Sequence, residues 1–147
     1  MKPVPLIRAH VLSAAITIAC FSTGCAPTIA VYDQYSYTQA TSIKVDALNV
    51  AGMATEDYAS HQKDVEGLKT EMQKIYEYDK NLPKNTITTK QWEIIIDSSG
   101  HSMGGLLSRW QKEGKLGSAF VSDKEKQIGL DFDQIILLEA AKIKSSK

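Results

Sequence analysis

Cysteine is scarce. Cys20 and Cys25 are the only two in the 147 residues, and none follows position 25. A disulfide framework behind that point is excluded, and so is a cysteine-ligated metal centre. Histidine is limited to His10, His61 and His101, which leaves little for imidazole ligation or general acid–base work. There is no apolar run of the ~20 residues a helix needs to cross a bilayer. Neither sign of charge dominates, with 17 basic and 17 acidic residues. No stretch alternates apolar and polar positions with period two, and neither a repeat nor a low-complexity segment is present.

The amino end does not read as domain. Lys2 and Arg8 precede an apolar run, Val11 to Phe21, which is followed by the small residues Ser22, Thr23 and Gly24. A positive start, a short apolar core and a small-residue site form the layout of a secretory signal. All 17 acids and 15 of the 17 basic residues lie after Cys25, so the remaining chain carries a charge near −2. Nucleic-acid binding needs a concentrated basic face and is not expected; nor is purely electrostatic attraction to anionic lipid.

Thr23-Gly24-Cys25 resembles the end of the bacterial lipoprotein signal, the lipobox, with Ser22 standing where an aliphatic residue is usual. The resemblance implies that the Cys25 thiol is acylated and residues 1–24 are removed. The new terminus would then be held on a membrane through residues 25–32. Each buried methylene contributes about 0.8 kcal/mol, so two or three chains anchor firmly where one does not. Ala26 follows the cysteine in place of the aspartate that favours inner-membrane retention, so the resemblance implies a cell-envelope protein of the outer membrane, facing the periplasm.

Residues 33–147 read as helical. From Asp33 to Lys80, Val45, Leu48, Thr55, Tyr58, Gln62, Val65, Leu68, Met72 and Ile75 recur at three- and four-residue steps, and Asn81-Leu82-Pro83 closes the run. A second helix is expected from Thr88, with Gln91 as its capping partner. Trp92, Ile95, Ser99, Met103, Leu106 and Trp110 share its face, with Gly100, Gly104 and Gly105 weakening its middle. A third is expected from Ser122, with Glu125 as its cap, Ile128, Phe132, Ile135, Leu138 and Ile143 on its face, and Lys142 and Lys144 suiting its C-terminal dipole. The expectation is an all-α antiparallel bundle of three helices, or four if the first folds back at Ala51-Gly52, with the long first helix preferred. At about 1.5 Å per residue that helix reaches roughly 70 Å, twice the others. Val45, Leu48, Val50 and Met53 on its proximal half would be left for a partner. Tyr32, Tyr35 and Tyr37 are expected to pack at its start, and less readily to sit among lipid headgroups.

Gly100-His101-Ser102-Met103-Gly104 matches G-x-S-x-G and resembles the nucleophile elbow of the α/β-hydrolases, with Glu93–Asp97 in the place of the feeding strand. That family's triad runs serine, acid, histidine along the chain, yet no histidine follows Ser102. A doubly wound sheet also needs several strands where one candidate exists. Asp57 and His61 share a helix face, but two ligands do not make a zinc site. Asp131 and Asp133 diverge on a helix, and Trp92 and Trp110 are spaced for a core. No enzyme, cofactor or metal is expected. The function class that remains is a lipid-anchored structural or adaptor protein, binding an envelope partner or itself; the alternative is an exclusion or immunity-type protective lipoprotein, or a carrier of a small apolar ligand. Replacing Cys25 with Ala is expected to release the protein from membranes, as read by cell fractionation; retention in the membrane fraction would contradict the lipobox assignment.

Overall fold

The structure is a computed structural model, and it describes residues 29–145. The described chain is all-helical. Five α-helices, α1 (Gln34–Gly52), α2 (Gln62–Lys80), α3 (Thr86–Ile96), α4 (Met103–Glu113) and α5 (Ser118–Ser145), follow one another, with 3-10 turns at Met53–Thr55 and Tyr58–Ser60. No helix among the described residues is long and apolar enough to cross a membrane.

The expected long first helix is not what the structure holds. α1 ends at Gly52, and ten residues later the chain restarts as α2. The break survives because its backbone groups find tertiary partners. The Tyr58 N–H donates to the Gly114 carbonyl (2.8 Å) and the Leu116 N–H to the Ala54 carbonyl (2.9 Å). The Trp110 indole donates to the Glu56 carbonyl (2.9 Å). Asp57 then caps the second 3-10 turn by accepting from the Ala59 N–H. These partners lie 54 to 62 positions away along the chain, where local periodicity carries no record of them.

The expected second helix is also two. α3 starts at Thr86 without a side-chain cap, and Thr88 turns inward instead of capping. An Asx turn at Asp97, whose carboxylate accepts from the Ser99 N–H (2.9 Å) and hydroxyl (2.7 Å), ends α3; those bonds hold the Asp97 carboxyl below its ordinary value. α5 begins at Ser118, four residues before the predicted Ser122 cap, and runs through Gly129.

Paired contacts give the helix directions. Lys44 of α1 meets Asp133 of α5 at 2.5 Å, and a Cβ on Gly129 would lie 3.9 Å from Leu48, so α1 and α5 run antiparallel. Ser36 meets Asp79, while the opposite ends of α1 and α2 are joined in sequence. Thr88 meets Glu139 and Trp92 meets Phe132, which makes α3 antiparallel to α5. α1 and α3 each contact both α2 and α5.

The core is lined by Ile43, Ala47 and Val50 from α1, Val65, Leu68, Met72 and Ile75 from α2, Trp92 and Ile95 from α3, and Ile128, Phe132 and Ile135 from α5. Trp92 meets Phe132 edge to face, with centroids 5.8 Å apart. Trp110 meets Tyr58 at 5.3 Å and 90°. Such pairs contribute about 0.5–1.5 kcal/mol beyond the area they bury. The proximal half of α1 is not left open, because α5 extends far enough to cover it. Val50 is buried, and Leu48 and Met53 are partly buried against the core; of that stripe Val45 alone stays exposed.

Candidate functional site

The serine elbow does not assemble. Ser102 stands at the N-cap of α4, buried, with its hydroxyl unpartnered and making no cap bond. His61 is engaged elsewhere. Its Nε2 lies 2.9 Å from Glu56 Oε2, its Nδ1 3.6 Å from Asp64 Oδ2, and its ring meets Trp110 in a tilted contact at 5.8 Å. The bond to Glu56 raises its pKa above the ordinary histidine value. His101 is exposed, with its carbonyl accepting from Lys124 Nζ at 2.7 Å. No base reaches Ser102, so the proton of a nucleophilic hydroxyl has no acceptor. The glycines of the motif have a steric cause instead. A Cβ on Gly104 would collide with the Ile96 carbonyl, and one on Gly105 with the Gly100 carbonyl. They are glycines because the start of α4 packs hard against the end of α3 and the turn that follows it.

Asp57 and His61 do not pair either, since Asp57 is used as a cap. No group of three or more metal-ligating side chains occurs among the described residues. Trp92 and Trp110 are wholly buried and serve as core. Asp133 bonds Lys44. Cys25, the lipidation candidate, lies outside the described residues, as does the first half of the tether.

Sequence reasoning missed the most unusual arrangement in the molecule. At the end of the domain where the chain enters α1, six polar side chains are buried together with the indole N–H of Trp92. Asp79, at the end of α2, accepts from the Ser36 hydroxyl (2.5 Å) and from the Trp92 indole (2.7 Å). The Asn85 amide donates to the Asp79 carbonyl at 3.0 Å. Asn85 Oδ1 in turn accepts from Lys142 Nζ at 2.7 Å. Lys142, expected on the surface near a helix dipole, is 2% exposed and forms an ion pair with Glu139 at 2.5 Å. Thr88 donates to the same Glu139 oxygen at 2.7 Å, while Oε2 has no partner. The cluster joins α1, α2, α3 and α5.

The signal for it was present in the spacing. Asp79 continues the buried series Val65, Leu68, Met72, Ile75 of α2, and Glu139 and Lys142 continue Ile128, Phe132, Ile135 of α5. Ser36 and Thr88 likewise stand on the buried faces of α1 and α3. Polar residues in register with a core face belong to the core.

Chemically, the cluster is closed. Apart from Glu139 Oε2, its side chains are satisfied by one another, and burial pushes the Asp79 carboxyl above its ordinary value, opposed by its bonds to Ser36 and Trp92. Such an arrangement suits fixing helix register better than turning over a substrate. No protein-family model matches the chain, and no curated protein or solved structure shows significant similarity to it.

Two outcomes follow from this geometry. Lys142→Met leaves Glu139 buried and unpaired; the expected cost is about 3 kcal/mol in urea unfolding, with about half of it recovered in Glu139→Gln/Lys142→Met. A raised folded-state pKa means the folded protein holds the Asp79 proton more tightly than the unfolded chain. The stabilisation from this group is thus fully present below its ordinary value of 3.8 and is lost as pH rises through the raised one. Asp79→Asn keeps both bonds, its oxygen accepting from Trp92 and its amide donating to Ser36. The difference in unfolding free energy between variant and parent is expected to grow in the variant's favour as pH rises above about 4.

Proposed function

We propose that the protein is a lipid-anchored component of the cell envelope with a structural or adaptor role, held by an acylated Cys25. Thr23-Gly24-Cys25 behind a charged and then apolar start is the observation that carries the address. Ala26 favours the outer membrane, facing the periplasm. The domain behind the anchor is an antiparallel helical bundle, to which α4 adds a cap on the end far from the anchor.

An adaptor needs a rigid body and a surface that a partner can grip. The buried polar cluster supports the first. For the second, Leu130 and Leu137 stand seven residues apart on α5, 64% and 68% exposed. That spacing puts them on one helix face, with Val45 of α1 exposed as well. This face replaces the proximal half of α1 as the contact for an envelope partner or for a second copy. A carrier of apolar ligands is less well supported. The groove between α2 and α4, about 460 Å³, is open and of mixed lining, with Lys69, Gln73 and Gln111 beside Met72, Ile96 and Leu107, and both tryptophans stand in the core away from it.

Crosslinking in intact cells, followed by mass spectrometry of the purified protein, tests both halves. The expected result is an acylated Cys25 terminus and one dominant crosslinked envelope protein or homodimer. Leu130→Asp/Leu137→Asp is expected to abolish that crosslink with little change in stability, since exposed substitutions usually stay within about 0.5 kcal/mol. A crosslink that persists in the variant would remove this face from the proposal, and an unmodified terminus would remove the anchor.

A further inference from the structure

We propose that the anchored pole of the domain is itself a membrane-contacting surface, so that the protein stands with this end seated on the bilayer; this rests on acylation of Cys25. Three residues, Ala26, Pro27 and Thr28, separate Cys25 from Ile29. A chain spans at most ~3.3–3.6 Å per residue, so Ile29 lies within roughly 14 Å of the acylated residue whatever path the chain takes. A tether this short cannot hold the domain clear of the headgroups, and the pole must meet them.

What stands at that pole fits the contact. Ile29, Val31, Leu82 and Pro83 line a shallow apolar hollow of about 240 Å³, with Val31 66% exposed. Ile87, in the first turn of α3, is 52% exposed. Tyr35 and Tyr78 stack edge to face at 4.7 Å beside them, both exposed. Apolar side chains flanked by tyrosines are the composition of a membrane interface.

The charge is consistent. From Lys80 to Lys90 the chain carries three lysines and no acid. Asp33, the acid nearest the hollow, is taken up by the Ser36 N–H (2.9 Å) and the Tyr78 hydroxyl (3.1 Å). The opposite pole, by contrast, carries both signs, with Glu56, Asp57 and Glu113 beside Lys112 and Lys115. Lys84 also holds φ at 61°, a conformation that disfavours any residue but glycine or asparagine. A lysine kept there against local preference places a cation at the rim of the hollow.

The test uses the full acylated chain in vesicles of phosphatidylethanolamine and phosphatidylglycerol. Acylation consumes the Cys25 thiol and no cysteine follows it, so single substitutions Val31→Cys, Ile87→Cys and, at the far pole, Ser60→Cys accept an environment-sensitive fluorophore selectively. All three positions are exposed. The expected result is a blue shift at positions 31 and 87 and quenching by a lipid-borne quencher about threefold above that at position 60, as for side chains entering the headgroup boundary. Equal and weak quenching at all three positions, with the terminus shown by mass to be acylated, overturns the seated pole and leaves the anchor standing. An unacylated terminus overturns both.

Discussion

The structure depends on burying a lysine and two carboxyls among helices that could otherwise slide. Taking one ion out of water costs several kcal/mol after relaxation, and it is offset here only when α1, α2, α3 and α5 all deliver their side chains to one place. Lys142 needs Glu139 from its own helix but also Asn85 and Thr88 from the start of α3. Asp79 needs Ser36 from α1 and Trp92 from α3. A one-turn slip of any of the four helices would strand a buried charge. The hydrophobic contacts of the middle of the domain tolerate such slips more readily, because methyl groups are interchangeable.

That constraint sits at one end, and the two ends of the domain differ in kind. The far end is closed by backbone bonds between the α1–α2 turns and the α4–α5 connection, with Trp110 between them. The near end is closed by charge and hydrogen bonding, and its outer rim carries the exposed tyrosines and aliphatic side chains. The entry of the chain, the polar lock and the rim are therefore one region. Ser36, whose N–H is capped by Asp33 at the start of α1, links that entry to the lock through its bond to Asp79.

Much of this was legible in the residues, and unevenly so. α2 was readable because Val65, Leu68, Met72 and Ile75 form a strong face opposed by charge. The core residues of α3, and Ile128, Phe132 and Ile135 of α5, were readable for the same reason, whereas Ile143, expected on that face, is 44% exposed, with Lys142 buried beside it. α1 was not, because its buried face is built largely from Ala40, Ala47 and Ala51, residues too small to mark a face, while Val45 points to solvent. Its end at Gly52 depends on partners from Trp110 to Leu116, and no local pattern records them. The elbow glycines misled for a related reason: a close helix–helix approach and a strained catalytic turn call for the same residue. Lys142 was expected at the surface near a helix dipole, and Asp79 and Glu139 carried no expectation, although the positions of all three continue the buried faces. Of the two signals, residue type and position, position was the better guide.

The arrangement of the polar lock can be observed directly at the two tryptophan indoles. Both donate a hydrogen bond, Trp92 to a carboxylate and Trp110 to a backbone carbonyl. Proton NMR of the intact domain across the range from acid to neutral pH separates them. The lock predicts two slowly exchanging indole resonances, of which one, assigned to Trp92 by substitution, moves with the titration of Asp79 and loses that movement in Asp79→Asn. An indole of Trp92 that exchanges freely, or whose position is indifferent to Asp79, would contradict the helix arrangement on which the rest is built.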